Sequence, residues 1–300
     1  MADGAPGGGR PRGDGGGRMT AVSLGPASKA AIALASAIGL VSFLWPLIAA
    51  PDSAAVAHAT DAPLLFAVVV PVLLIVVLAQ VSEGGMDAKA IAMLGVLSAV
   101  IAALRPLGGG TAGLEPIWVV LILGARALGP GFGFALGAIS LFASALVTGG
   151  VGPWLPFQML AAAWVGLGAG LLPQRWTGKR ELAMLSAYAA VACVGYGFVM
   201  NLWFWPFLGS LPEQLAFTAG ASMPENLLAW IRFCLVTSLG YDIPRAVLTI
   251  ILIWVAGRPI LLALRRMARK AAFGTAPQFV MPATPAPAHA PTHATITSRA

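Results

Sequence analysis

Charge is what this chain has least of. Only 10% of its 300 residues are Asp, Glu, Lys or Arg, against 58% hydrophobic, and the mean hydropathy is +0.86. That balance excludes a soluble domain with an ordinary polar surface. The three histidines, His58, His289 and His293, fall in a loop and a tail, so no histidine-built metal site lies within an apolar segment. The two cysteines, Cys193 and Cys234, lack metal-ligand spacing and imply no disulfide framework. No GxxxxGK[ST] loop is present, which rules out ATP hydrolysis by that route. No Ser/His/Asp set can be assembled within the apolar segments, and acidic residues able to relay protons or sodium through a membrane are nearly missing.

What the chain has instead is apolar length. Eight runs stand out, at 30–50, 64–81, 90–104, 116–128, 132–148, 157–172, 182–205 and 243–262. About 20 apolar residues in helix cross a ~30 Å hydrocarbon layer. Period-two alternation is absent, so helices are the remaining way to satisfy a backbone in lipid. The expectation is an all-α polytopic transmembrane bundle of about eight helices. The fourth run is short, and Pro130 and Gly131 leave only a tight turn before the fifth. Those two read as a helical hairpin that does not span fully.

The net charge of +7 reports topology once its residues are placed. Arg10, Arg12, Arg18 and Lys29 precede the first run, and Arg126 marks the turn between the fourth and fifth. Arg175, Lys179 and Arg180 lie between the sixth and seventh, and Arg258, Arg265, Arg266, Arg269 and Lys270 follow the core of the last. The opposite loops carry Asp52, Asp61, Glu115, Glu213 and Glu225, with Arg105 the main basic exception. The positive-inside rule puts both termini in the cytoplasm. The polar glycine-rich start is not a cleavable signal peptide, and the first run reads as an uncleaved signal anchor.

Residues 1–27 are rich in Gly, Pro and Arg, and residues 271–300 in Ala, Pro and Thr. Neither buries enough apolar surface to offset ordering entropy, so both read as disordered cytoplasmic tails. Between them, residues 28–85 hold two plain apolar helices, with kinks expected at Pro46 and Pro71. Residues 86–270 hold six more. In these, small residues recur at helical spacing: Ala88, Ala92, Gly95, Ala99 and Ala103; Gly133, Gly137, Ser140, Ser144 and Thr148; Ala162, Gly166 and Gly170. Such stripes let helix backbones approach closely, within one bundle or against another membrane subunit.

Polar and aromatic groups gather on the outer side. Arg105 opens a loop, LGGGTAGLEP, whose Gly108, Gly109, Gly110 and Gly113 suit a lid or an ordinary flexible connection. Asp242 in YDIPRA reads as a helix N-cap with Pro244 in the first turn. Arg245 lies one turn further in and should face a carboxylate, phosphate or amide of a bound solute, or else form a salt bridge to Asp242 or Glu115. Trp154, Phe157, Gln158, Trp164, Asn201, Trp203 and Trp205 converge on the same side. There they serve as interfacial anchors or as the walls of a concave ligand site. The segment 225–239 reads as an interfacial or re-entrant helix.

The block GFALGAISLFASALVTGGVGPWLPFQMLAAAWVGLGAGLLP at 133–173, the alanine pairs of the third run and YDIPRA at 241–246 resemble one family. It is the substrate-binding S-components of energy-coupling factor (ECF) vitamin transporters, cobalamin-type members most of all, over roughly residues 86–264. The resemblance implies a six-helix bundle that captures a vitamin or related micronutrient from outside a bacterial cell membrane. It also implies docking, through Ala88, Ala92, Ala99 and Ala103, onto a membrane coupling subunit that carries two ATPases. The chain itself is then no enzyme and needs no cofactor, ATP being used by its partners. Mapped onto this chain, the solute site draws on Trp154, Phe157, Gln158, Asn201, Trp203 and Arg245. The two helices at 28–85 are an addition to the six. The competing readings are a stand-alone secondary carrier or channel for a small solute, and a membrane scaffold.

Overall fold

The structure, a computed structural model, describes residues 24–48, 62–83, 86, 88–108 and 113–270. Nearly all of residues 1–27, residues 271–300, and Gly109 and Gly110 of the glycine loop lie outside the described residues. Among the described residues there is no strand. The helices are α1 (Pro26–Ile48), α2 (Ala62–Ser82), α3 (Ala88–Leu104), α4 (Ile117–Leu128), α5 (Pro130–Thr148), α6 (Leu155–Leu171), α7 (Lys179–Phe204), α8 (Met223–Phe233) and α9 (Leu239–Lys270). Short 3-10 turns follow α3 at Arg105–Gly108 and α7 at Trp205–Phe207, and a π turn, Cys234–Ser238, joins α8 to α9 without a break. Among the described residues the chain thus folds as eight continuous helical runs, as the hydropathy pattern predicts. Five stretches are long and apolar enough to cross a membrane, and shorter apolar helices accompany them.

The short helix α4 shows why length alone misleads. Its 12 residues rise about 18 Å, well short of a hydrocarbon layer. It is nonetheless buried on nearly every side, because α3, α5, α6, α7 and α9 surround it. Protein takes the place of lipid around it, so it has no need to span. Gly129, at φ +103°, makes the junction to α5 in one residue, and Pro130 starts the next helix where its missing N–H costs nothing. The hairpin expected between these two runs is therefore present.

α5 packs most extensively against α6. A β-carbon on Gly133 would strike the Gly166 carbonyl, one on Gly166 would strike the Gly133 carbonyl, and one on Gly137 would strike Ala162. These two small-residue stripes are spent on each other. The third stripe is not: Ala88, Ala92, Ala99 and Ala103 are exposed, and a β-carbon on Gly95 would meet open space.

The two N-terminal helices are part of the bundle. Glu83 accepts from the Ala27 amide at 2.7 Å and from the Ser28 hydroxyl at 3.4 Å, tying the end of α2 to the start of α1. Gly39 lies against Leu160 of α6, and the Trp164 indole donates to the Ser36 hydroxyl at 2.9 Å. Pro46 and Pro71 both sit inside their helices.

Candidate functional site

One end of the bundle collects the ends of α3 and α7, the starts of α4 and α6, and the region where α8 passes into α9. At its centre is Arg245, 8% exposed. Its guanidinium donates to Asp242 at 2.7 Å, to Glu115 at 3.0 Å and to the Cys193 carbonyl at 3.3 Å. It also sits over the rings of Trp118 (5.8 Å) and Tyr196 (5.4 Å). Asp242 takes a further hydrogen bond from Ser238 at 2.7 Å, and Glu115 takes one from the Trp118 indole at 2.8 Å. A guanidinium with two carboxylates, each held by another donor, is what a buried charge requires to remain ionised away from water. The salt bridge to Asp242 or Glu115 that the sequence offered as the alternative for Arg245 is thus formed to both.

Asp242 corrects an expectation. It does not cap a helix: α8, the π turn and α9 run continuously, and Asp242 lies inside that run with a buried carboxylate. Pro244 removes a backbone donor there, and the π turn one helical turn earlier takes up the irregularity. The segment 225–239 likewise does not stand apart as a re-entrant element, since it leads directly into α9.

The second constituent is an aromatic chain. Phe157 is 2% exposed and lies between Phe43 of α1, at 5.0 Å edge-to-face, and Trp203 of α7, at 5.8 Å. Trp203 meets Trp154 at 6.3 Å and Phe207 at 5.9 Å, and Phe207 meets Trp45 of α1 at 6.3 Å. Trp154 is 38% exposed at the rim. Edge-to-face and tilted pairs at these spacings are attractive and fix the rings in place. Beside them Gln158 accepts from Arg105 at 2.8 Å.

The third constituent is a cavity of about 420 Å³ lined by polar Asn201, Thr237, Ser238, Asp242 and Arg245 and by apolar Met200, Phe204 and Phe233, among others. Its size and mixed lining suit a small organic solute. Of the six residues expected at a solute site, Asn201 and Arg245 line this cavity. Trp154, Phe157 and Trp203 form the aromatic chain, and Gln158 pairs with Arg105. Asn201 also donates to the Cys234 sulfur at 3.2 Å. In the glycine loop, Gly108 closes the 3-10 turn after α3. Gly113, at φ +78°, lies so close to the Tyr241 carbonyl that any side chain would collide with it. Among the described residues no cluster could hold a metal ion.

The opposite end carries a cluster that the sequence marked only as loop charge. Arg126 is fully buried; it donates to Glu181 at 2.7 Å, to the Leu172 carbonyl at 2.8 Å and to the Pro173 carbonyl at 3.1 Å. Glu181 takes two more hydrogen bonds from Arg265. This ties α4, the α6–α7 connection, α7 and α9 together. The positive charge of Arg126 gave a topology signal; its burial gave none, because its partners, Glu181 and the carbonyls of the α6–α7 connection, lie far away in sequence.

Taken together, these features define a multi-pass helical membrane protein with a solute-sized cavity at one end. Residues 89–257, more than half of the chain, match the family described as ECF transporter, substrate-specific component, and the chain belongs to that family. No curated protein and no solved structure matches it. The matched region begins at the second residue of α3 and ends within α9, so α1 and α2 lie outside it.

Proposed function

We propose that this chain captures a vitamin or related micronutrient at the outer face of a bacterial cell membrane and hands it to an ATP-driven importer. The membership of residues 89–257 in the ECF substrate-specific component family carries this reading. In that reading the Glu115–Arg245 end faces outward, an orientation that the charge distribution of the loops supports. The solute sits against the cavity and the Trp154–Phe157–Trp203 chain, with Gln158, Asn201 and Arg245 supplying polar contacts. The glycine loop through Gly108 and Gly113 borders the entrance. The exposed Ala88, Ala92, Ala99 and Ala103 face docks on a membrane coupling subunit, and two partner ATPases supply the energy.

The sequence resemblance leads to the expectation of a cobalamin-type solute, whereas a cavity of about 420 Å³, near the small end of ligand sites, supports a solute smaller than a corrinoid. A mild-detergent pull-down of the tagged chain from its native membrane, read by mass spectrometry, tests the reading. A polytopic coupling subunit with P-loop ATPases is the expected haul. The chain recovered alone, at good yield in several detergents, sinks it in favour of a solitary carrier or channel.

A further inference from the structure

Arg105 and Arg245 flank the same end of the bundle but differ in their charge balance. The 3-10 turn that Arg105 begins ends at Gly108, which packs against the backbone of Leu114 and Glu115, and Glu115 is Arg245's partner at 3.0 Å. Both carboxylates, Glu115 and Asp242, are committed to Arg245. Arg105 has no acidic partner among the described residues: its Nη2 donates to the neutral Gln158 amide, and its Nη1 is buried with no hydrogen-bond partner. Neither of the other outer-loop acids in the described residues pairs with Arg105. Glu225 accepts from the Ser222 amide and hydroxyl, and Glu213 is exposed in its own 3-10 turn. The four residues 109–112 of the adjoining loop read Gly-Gly-Thr-Ala and contain no carboxylate.

A buried donor left unmade costs the desolvation of that group, more so when it is charged. A water can complete the hydrogen bond but leaves the charge unbalanced. Its partner Gln158 directly follows Phe157 in α6, and Phe157 meets Trp203 at 5.8 Å. Resting on the solute-capture reading above, we infer that Arg105 Nη1 is the anchor for a carboxylate on the solute, whose planar ring lies on the neighbouring aromatic chain. The substrate class is then a ring-bearing carboxylic acid in its anionic form. Arg245, already paired with Glu115 and Asp242, offers the solute a polar contact but no unbalanced charge. Because Nη1 has essentially no solvent exposure in this conformation, binding shifts the Arg105 side chain or the 3-10 turn it begins.

The full-length chain in phosphatidylcholine nanodiscs is titrated, by tryptophan fluorescence, with matched pairs: benzoate and benzamide, then 2-naphthoate and 2-naphthamide. The expected result is that carboxylates bind more tightly than their amides. Arg105→Gln should remove that preference by roughly ten- to hundredfold, the worth of a hydrogen bond to a charged group, and Arg105→Lys should restore part of it. Both variants must elute as the wild type does in detergent, and Arg105→Lys keeps the test valid if the Gln variant does not. Amides bound as tightly as carboxylates, a preference unmoved by Arg105→Gln, or no carboxylate bound at all each overturn the inference. A preference that vanishes when phosphatidylglycerol is added assigns Nη1 to a lipid headgroup and also overturns it. The pull-down separates the two levels: ATPase partners recovered beside any of these negatives leave the capture reading standing, and their absence removes the reading beneath.

Discussion

Phe43 and Phe157 meet edge-to-face with ring centroids 5.0 Å apart, joining a helix outside the family-matched region to the floor of the candidate site. Phe43 is 1% exposed and also touches Trp164 at 5.7 Å. The N-terminal helix is therefore a structural member of the site and not an appendage.

Phe43→Ala should destabilise the bundle by about 3 kcal/mol, the usual cost of emptying a buried aromatic position. It should also loosen Phe157. A thermal unfolding scan in detergent reads the first effect, and solute affinity reads the second. An unchanged unfolding midpoint would show that α1 merely lies against the core.

Breaking the buried cluster at the opposite end should cost more. Glu181→Gln leaves Arg126 and Arg265 facing each other without a carboxylate, and such a loss typically costs about 3–5 kcal/mol. The same scan checks it. Arg265→Gln should be milder, because Arg265 is partly exposed and the Arg126 pair survives.

Arg245→Met would strand Glu115 and Asp242 without their shared cation. The variant should lose thermal stability in detergent, by about 3 kcal/mol or more as for other broken buried pairs, and lose solute binding as a consequence. Adding Asp242→Asn should recover part of the stability by removing one orphaned charge. If Arg245→Met keeps full stability and loses only binding, Arg245 touches the solute directly.

On α3, Ala92→Leu should leave the isolated chain as stable as the wild type, since the position is exposed. Recovery of the coupling subunit and ATPases with this variant should fall several-fold, measured as complex yield. Undiminished yield would move the docking face elsewhere.

Hydropathy made the eight helical runs legible, because lipid leaves the backbone few alternatives. The aromatic residues and Arg245 were legible as a group by type and by the end of the bundle they share. Their pairings were not: Arg105 and Gln158 are 53 positions apart, and Arg126 and Glu181 are 55. The three small-residue stripes looked alike in sequence, yet only two are covered, since burial depends on which helices become neighbours. Asp242 misled because Asp-Ile-Pro after Gly240 carries the local signs of a helix start. The π turn that carries the helix through this point leaves no comparable mark.

The mutual contact of Gly133 and Gly166 has a mechanical consequence. Where two backbones touch, no side-chain layer remains to re-register, so α5 and α6 cannot slide past each other in steps. They move as one plate. Any reorientation of this protein in the membrane must be accommodated at its perimeter, on faces such as that of α3, with the central seam carried along unchanged.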